Sequence, residues 1–399
     1  MDKRIFDIAN KYFDEITKTA SEMIRIPSRS GHEKEMAEYT AFKMKELGYD
    51  EVVVDKVGNI IGRFKGTGGG QSLMLNCHLD VVDEGSHEKW KYPPFSGAIA
   101  EGAIWGRGAS DTKGTFAIQL YTPYILKNEG MMTKGDIYVI GVVHEESSGF
   151  GSMTMVQEGF KVDNAIIGEA TENDIAISCR GRVAINVIID GKSCHASIPE
   201  EGVNPFDFLG KFLVELENYE LGDDPVFGKS TISPTFISSS EKGTNIIPNT
   251  ITLTLDYRSV PIDTNEFILE KLQRIVDKAM IPGISVGLEI IKIPVKCYTG
   301  FEGEGYQGEP AFAISKNHEL VVTSKNILEK TLGRKVQIKP WAFATDSGHF
   351  MNAGVSVIGF SPAEIKKCHT VEDNIRLDML KEGIVGYIAL SYEIANKSK

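Results

Sequence analysis

The chain lacks any apolar run near the roughly 20 residues needed to cross a bilayer, so no membrane anchor is expected. It is poor in cysteine: five in 399 residues, an odd number in a long chain, which argues against a disulfide framework. Each Cys reads as a small packing residue, and the cytoplasm is the expected compartment. Basic charge is also in deficit. Lys+Arg 43 against Asp+Glu 55 leaves −12, so nucleic acid and anionic membranes are poor partners. The opening segment "MDKRIFDIANKYFDEI" mixes charged and apolar residues at helical spacing and does not read as a signal peptide. Repeats and low-complexity tracts are missing too. "KGTGGGQ" lacks the Gly-Lys-Ser/Thr of a phosphate loop, and "GRGASDTKG" lacks the context of a dinucleotide fingerprint.

What is present is a soluble-protein composition, 42% hydrophobic and 25% charged, in a chain long enough for two domains. The spacing of Phe6, Tyr12, Phe13, Ile16, Ala20, Met23 and Ile24 predicts a helix stopped by Pro27, and Met36 to Leu47 predicts a second ending at Gly48. "EVVVDKVGNIIGRFKG" reads as a hairpin turning at Gly58-Asn59. The short apolar runs "SLMLN", "DIYVIGVV", "NAIIG" and "VSVIGF" read as strands covered on both faces, with helices between them. Pro123 inside "TFAIQLYTPYILKNEG" predicts a kink or an early break. Together these give an α/β fold with a mainly parallel sheet.

The middle of the chain changes pattern. "VAINVIID" alternates, a helix follows over about residues 204–218, then strands in "TISPTFISS" and "TITLTLDYRSV". A helix through Leu272 and Ile275 ended by Pro282 and a strand "ISVGLEIIKI" complete a β-α-β-β-α-β order, the ferredoxin-like α+β arrangement. The expected organisation is a catalytic domain in two parts, residues 1–179 and 295–399, with an inserted lid or dimerisation domain over 180–294.

The polar residues fall at the ends of the buried strands. His78 and Asp80 follow one. Asp111 lies in a glycine-rich loop before a helix, Glu145 and Glu146 follow a second strand, Glu169 a third, and His369 comes just after the last. In parallel α/β sheets such groups converge on one crevice. Two imidazoles and several carboxylates meeting there need cations to balance the charge. Imidazole with carboxylate and no thiolate suits Zn2+, with Co2+ or Mn2+ as alternatives. The carboxylates outnumber what one tetrahedral ion uses, so two ions are expected. Asp80 is read as the acceptor that orients the His78 ring. Cys77, Cys194 and Cys368 each precede a histidine, but neighbours on an extended chain point to opposite faces, so His is the working residue.

The ordered set "HLDVV…W…PPFSG…IWGRGASDTKG…HEESSGFGS…GEAT" resembles the dinuclear zinc peptidases and deacylases. That family holds acetylornithine deacetylase, succinyl-diaminopimelate desuccinylase, glutamate carboxypeptidase, aminoacylase and a branch linked to selenium metabolism. The resemblance covers nearly the whole chain. It implies that His78 and Glu169 serve one ion and Glu146 and His369 the other, with Asp111 bridging and a cis Asp111-Thr112 peptide. It implies Glu145 as general base. In the inserted part, "GKSCHASIP" implies His195 as a donor to the oxyanion, often across a dimer interface. "GTNIIPN" and "LDYRSVP" imply Asn245 and Arg258 as grips for a substrate carboxylate. His144 before the Glu pair, "GEAT" for "EPT", and Ala344 in "ATDSGHF" depart from the family pattern without removing a ligand.

The expected activity is therefore hydrolysis of an amide bond in a small substrate with a free carboxylate, an N-acyl amino acid or small peptide, by a homodimer. Aminopeptidase or carboxypeptidase action on short peptides is the first alternative and a dimetal phosphoesterase the second. His32, His87 and His318 read as surface or helix-start residues, and His144 and His349 as neighbours of the site.

Overall fold

The computed structural model describes residues 2–218, 220 and 222–399. Its largest sheet has eight strands, in the order Glu51–Val54, Ile60–Phe64, Ile137–Val142, Leu73–His78, Asn164–Ile167, Ser356–Gly359, Ile175–Ala176 and Ile338–Lys339. The four strands from Ile137–Val142 to Ser356–Gly359 run parallel, and the Glu51–Phe64 hairpin joins them antiparallel. Every residue of Leu73–His78 and Asn164–Ile167 is buried, as their mainly apolar sequence suggests for strands covered on both faces. The helices Lys3–Ile24, Gly114–Asn128 and Leu377–Ala395 pack together within one apolar layer. A second layer, with Phe350, Trp341 and Met155, covers the opposite face. Each such side chain contributes about 1.5–3 kcal/mol on full burial.

Of the kink or early break expected at Pro123, the early break does not occur. Gly114–Asn128 continues five residues past it, with Leu120, Tyr121, Ile125 and Leu126 buried on either side. Packing of those side chains against the neighbouring helices outweighs the missing backbone hydrogen bond.

The second sheet is antiparallel, ordered Thr231–Ser239, Thr250–Arg258, Val183–Asp190 and Ser285–Ile290. The helices Pro205–Glu217 and Asn265–Ala279 cover one face, with Phe208, Phe212, Leu272 and Ile275 against Val187, Ile189, Leu253 and Leu255. The alternating sequences put one side of Val183–Asp190 and Thr250–Arg258 into that core. The "ISVGLEIIKI" segment is not one strand: Ser285–Ile290 ends, and Lys292–Lys296 pairs with Glu302–Tyr306 in a separate hairpin. That hairpin reaches the large sheet, where Tyr298 donates to the Gly58 carbonyl at 3.0 Å.

Register carries the fold into the site. His78 pairs with Val142 across one parallel ladder, and Asn76 with Ile167 across the other. The chain leaving all three strands therefore emerges at one level, bringing His78, the Glu145-Glu146 turn and Glu169 to the same rim.

Candidate metal centre

His78 is buried at the end of its strand, and its Nδ1 lies 2.9 Å from the Asp80 backbone carbonyl. Donation by Nδ1–H to that carbonyl leaves the Nε2 lone pair free for a cation. Nε2 points at Asp111 Oδ1, 2.9 Å away, and at Glu169 Oε1, 3.4 Å away. On the other side, His369 Nε2 lies 3.1 Å from Asp111 Oδ2 and 3.0 Å from Glu146 Oε2. Asp111 thus stands between two imidazoles, one oxygen toward each, and the Asp111-Thr112 peptide preceding Lys113 is cis.

Asp80 accepts from the His78 ring as read in the sequence, but through its backbone and not its side chain. Its carboxylate oxygen is 3.6 Å from His78 Nδ1, whereas its backbone carbonyl makes the close contact. The carboxylate accepts the Glu145 and Glu146 backbone N–H groups, each at 3.1 Å, and the Ser30 hydroxyl at 2.6 Å. A turn starting at the left-handed residue His144 (φ 57°) leaves those amides unpaired, and Asp80 supplies their acceptor. Glu33, fully buried, accepts from the His144 N–H at 3.2 Å and the Gly31 N–H at 2.9 Å.

Burial and mutual repulsion control the carboxylates. Burial, then the Asp111 charge, pushes Glu169 up to about 7 and raises Glu146. Burial and the Glu169 charge raise Glu145 well above the carboxylate range. Burial opposes ionisation of Asp111, but hydrogen bonds from His369 and His78 outweigh it and hold the carboxyl below its usual range. The same acidic partners raise His369 to about 10, and they raise His78 despite its burial. Ligand atoms of His78, Asp111 and Glu146, and of His78, Glu145 and Glu169, fall within 4.8 Å of one another. With His369 beside Asp111 and Glu146, this oxygen-rich set fits divalent cations.

The residues of the inserted part stand elsewhere. Exposed His195 pairs with Ile246 on a short two-stranded ladder, next to Asn245, whose carbonyl accepts the Ala196 N–H at 2.9 Å. Among the described residues, His195 makes no hydrogen bond to the buried cluster; its Nδ1 meets the Ser197 hydroxyl at 2.7 Å. Arg258 is half-exposed and paired with Asp256 at 2.7 Å. His349 lies 2.8 Å from Glu309, and His144 Nδ1 lies 3.1 Å from the Ser147 hydroxyl. His318 caps the helix Glu319–Leu332 through its Nδ1, as a helix-start residue should.

Sequence reasoning missed Glu33, Arg107 and Asp373, all buried around the cluster. The clue was charge flanking the ligand loops: Arg107 in "GRGASD" and Asp373 in "HTVEDN".

A doubly covered parallel sheet with imidazoles and carboxylates gathered at its strand ends defines a metal-binding hydrolase. Residues 74–393 match Peptidase family M20/M25/M40, and the chain belongs to that family. It is a metal-dependent hydrolase of amide bonds. Over 376 residues it is 27% identical to the uncharacterized protein YgeY of Escherichia coli (strain K12), covering 92% of this chain and 91% of that one. It is 23% identical over 393 residues to a probable succinyl-diaminopimelate desuccinylase of Staphylococcus epidermidis (strain RP62A), covering 90% and 92%. The aminopeptidase PepT structure from Bacillus cereus superposes with a TM-score of 0.74 at 19% identity, covering 96% of this chain and 99% of that one.

Proposed function

We propose that this hydrolase uses two divalent cations, Zn2+ before Co2+ or Mn2+, to cleave an N-acyl amino acid or a small peptide with a free carboxylate. The observation that carries the reading is Asp111, whose two oxygens face His78 at 2.9 Å and His369 at 3.1 Å. In this reading His78 and Glu169 would hold one ion and Glu146 and His369 the other, with Asp111 shared between them. Such ions, when bound, acidify water and polarise the scissile carbonyl. Glu145 takes the proton from the attacking water and delivers it to the leaving nitrogen as the C–N bond breaks. Asp80 fixes the turn that presents Glu145, and its backbone carbonyl fixes the His78 ring.

Residues 1–179 and 295–399 act as the catalytic domain and 180–294 as the lid and dimerisation domain. The edge strand Thr231–Ser239 exposes Phe236 and Ile237, and the helix Pro205–Glu217 of the same unit exposes Phe206 and Val214, apolar side chains suited to contact with a second copy. In that dimer His195 donates to the oxyanion across the interface, and Asn245 and Arg258 grip the substrate carboxylate. Arg258 must exchange Asp256 for substrate to do so. The cytoplasm is the proposed compartment; no helix among the described residues is long and apolar enough to cross a membrane.

The test is amine release from Zn2+-loaded protein over N-acetyl, N-succinyl and N-carbamoyl amino acids, dipeptides and a phosphoester. Chelator-sensitive cleavage of a carboxylate-bearing amide supports the proposal. Cleavage of the phosphoester alone overturns it.

A further inference from the structure

Of the segments that carry the proposed ligands, those of His78, Asp111 and His369 are joined by one buried guanidinium, that of Arg107. Arg107 Nη2 donates to the Asp83 carbonyl at 3.2 Å, in the loop after His78. Its Nη1 donates at 3.2 Å to the Thr370 carbonyl, the residue after His369, and at 3.2 Å to Asp373 Oδ2. Arg107 itself belongs to the loop that carries Asp111, and its guanidinium lies 5.0 Å from the Trp90 ring centroid. Asp373 returns the connection. It accepts the Gly108 N–H at 2.8 Å and the Ser110 N–H at 2.9 Å, the residue before Asp111. The Ser110 hydroxyl donates to the Asn374 carbonyl at 2.7 Å, and Asn374 pairs with Trp105 in a short ladder.

Both partners are sealed from water, with side-chain exposures of 4% for Arg107 and 0% for Asp373. A buried ion pair of this kind adds little net stability after desolvation, so its value here is geometric. His369 is the ligand most in need of such support. Its side chain is 55% exposed and its backbone is left-handed at φ 59°, so core packing does not fix it. His78, only 1% exposed, is held by its strand and by the Asp80 carbonyl.

We infer that Arg107 and Asp373 are positioning residues that lock the His369 loop to the Asp111 loop, and so set occupancy of the cation position between His369 and Glu146. The inference rests on the two-cation reading above. Its consequence is unequal loss: weakening the pair empties one position before the other.

The experiment is calorimetric titration of Zn2+ into chelator-stripped full-length protein, with Co2+ absorption as a second readout of coordination. Wild type is expected to take up two ions. In Asp373→Asn one ion binds as in wild type while the other weakens by about 10–100-fold, the usual cost of losing an outer support of a metal ligand. Arg107→Lys keeps the charge but loses the planar fork, so it gives a smaller loss at the same position. It also serves if Asp373→Asn fails to fold. Two ions at wild-type affinity in the folded variants, or equal weakening of both, overturns the inference alone. Fewer than two ions in wild type overturns the two-cation reading and the inference with it.

Discussion

The Asp80 carboxylate accepts the backbone N–H of Glu145 at 3.1 Å. A residue two places beyond a proposed ligand thus anchors the turn that presents the proposed base, linking the ends of two neighbouring parallel strands. Asp80 is fully buried, so truncation leaves amides with no water to replace it. Asp80→Ala is expected to lose about 1–3 kcal/mol of stability, from urea unfolding of the folded protein. It should also lower kcat more than it raises KM, because Glu145 loses its orientation. Unchanged kcat would show that the turn holds its shape without Asp80.

Glu145→Gln removes the proton acceptor and leaves the proposed ligands in place. Metal content by elemental analysis should equal that of wild type, while kcat falls at least about 10²-fold, the scale of general-base catalysis. Near-wild-type turnover would assign the base elsewhere.

Mixing of two inactive variants tests whether sites are shared. Glu145→Gln and His195→Ala each disable the site in a different part of the chain. If His195 crosses a dimer interface, an equal mixture after subunit exchange regains about a quarter of wild-type activity, since half the dimers hold one intact site. No recovery from a mixture shown to form heterodimers would place His195 in its own subunit's site or outside catalysis.

Glu33 gives the stability a pH dependence. Burial, then the Asp80 charge, raises its carboxyl to about 7 from the 4.5 of the free side chain. The folded state therefore binds more protons than the unfolded state between these values, and stability falls as pH rises through about 4.5 to 7. Glu33→Gln removes that titration but keeps an oxygen for the Gly31 and His144 amides. Relative to wild type, the variant should gain stability from pH 5 to pH 8, by at most about 3 kcal/mol. Urea unfolding at both pH values measures it, and a pH-independent difference would show that Glu33 ionises normally.

The sequence made much of the site legible because strand ends are easy to find. An unbroken apolar run such as "SLMLN" marks a strand covered on both faces, and the polar residue that ends it must face the rim. His78, Glu145, Glu146 and Glu169 were found that way, and the structure gathers them with Asp111 and His369. The alternation in Val183–Asp190 and Thr250–Arg258 likewise exposed the second sheet, since a half-buried strand repeats every two residues.

Other features depend on atoms far apart in sequence. Pro123 reads locally as a break, yet long-range packing keeps its helix intact. Asp80 reads as the partner of a histidine two residues away, but the left-handed His144 turns two distant amides toward it. Arg107 and Asp373 carry no periodic signal, because an ion pair between remote loops leaves no pattern in either one. By itself, the sequence determined the α/β framework, the inserted antiparallel unit and which polar residues reach the rim, since local periodicity and burial dictate these. Only tertiary structure decided which carboxylate faces which imidazole and what holds each loop, because hydrogen-bond geometry is set when the strands align in register.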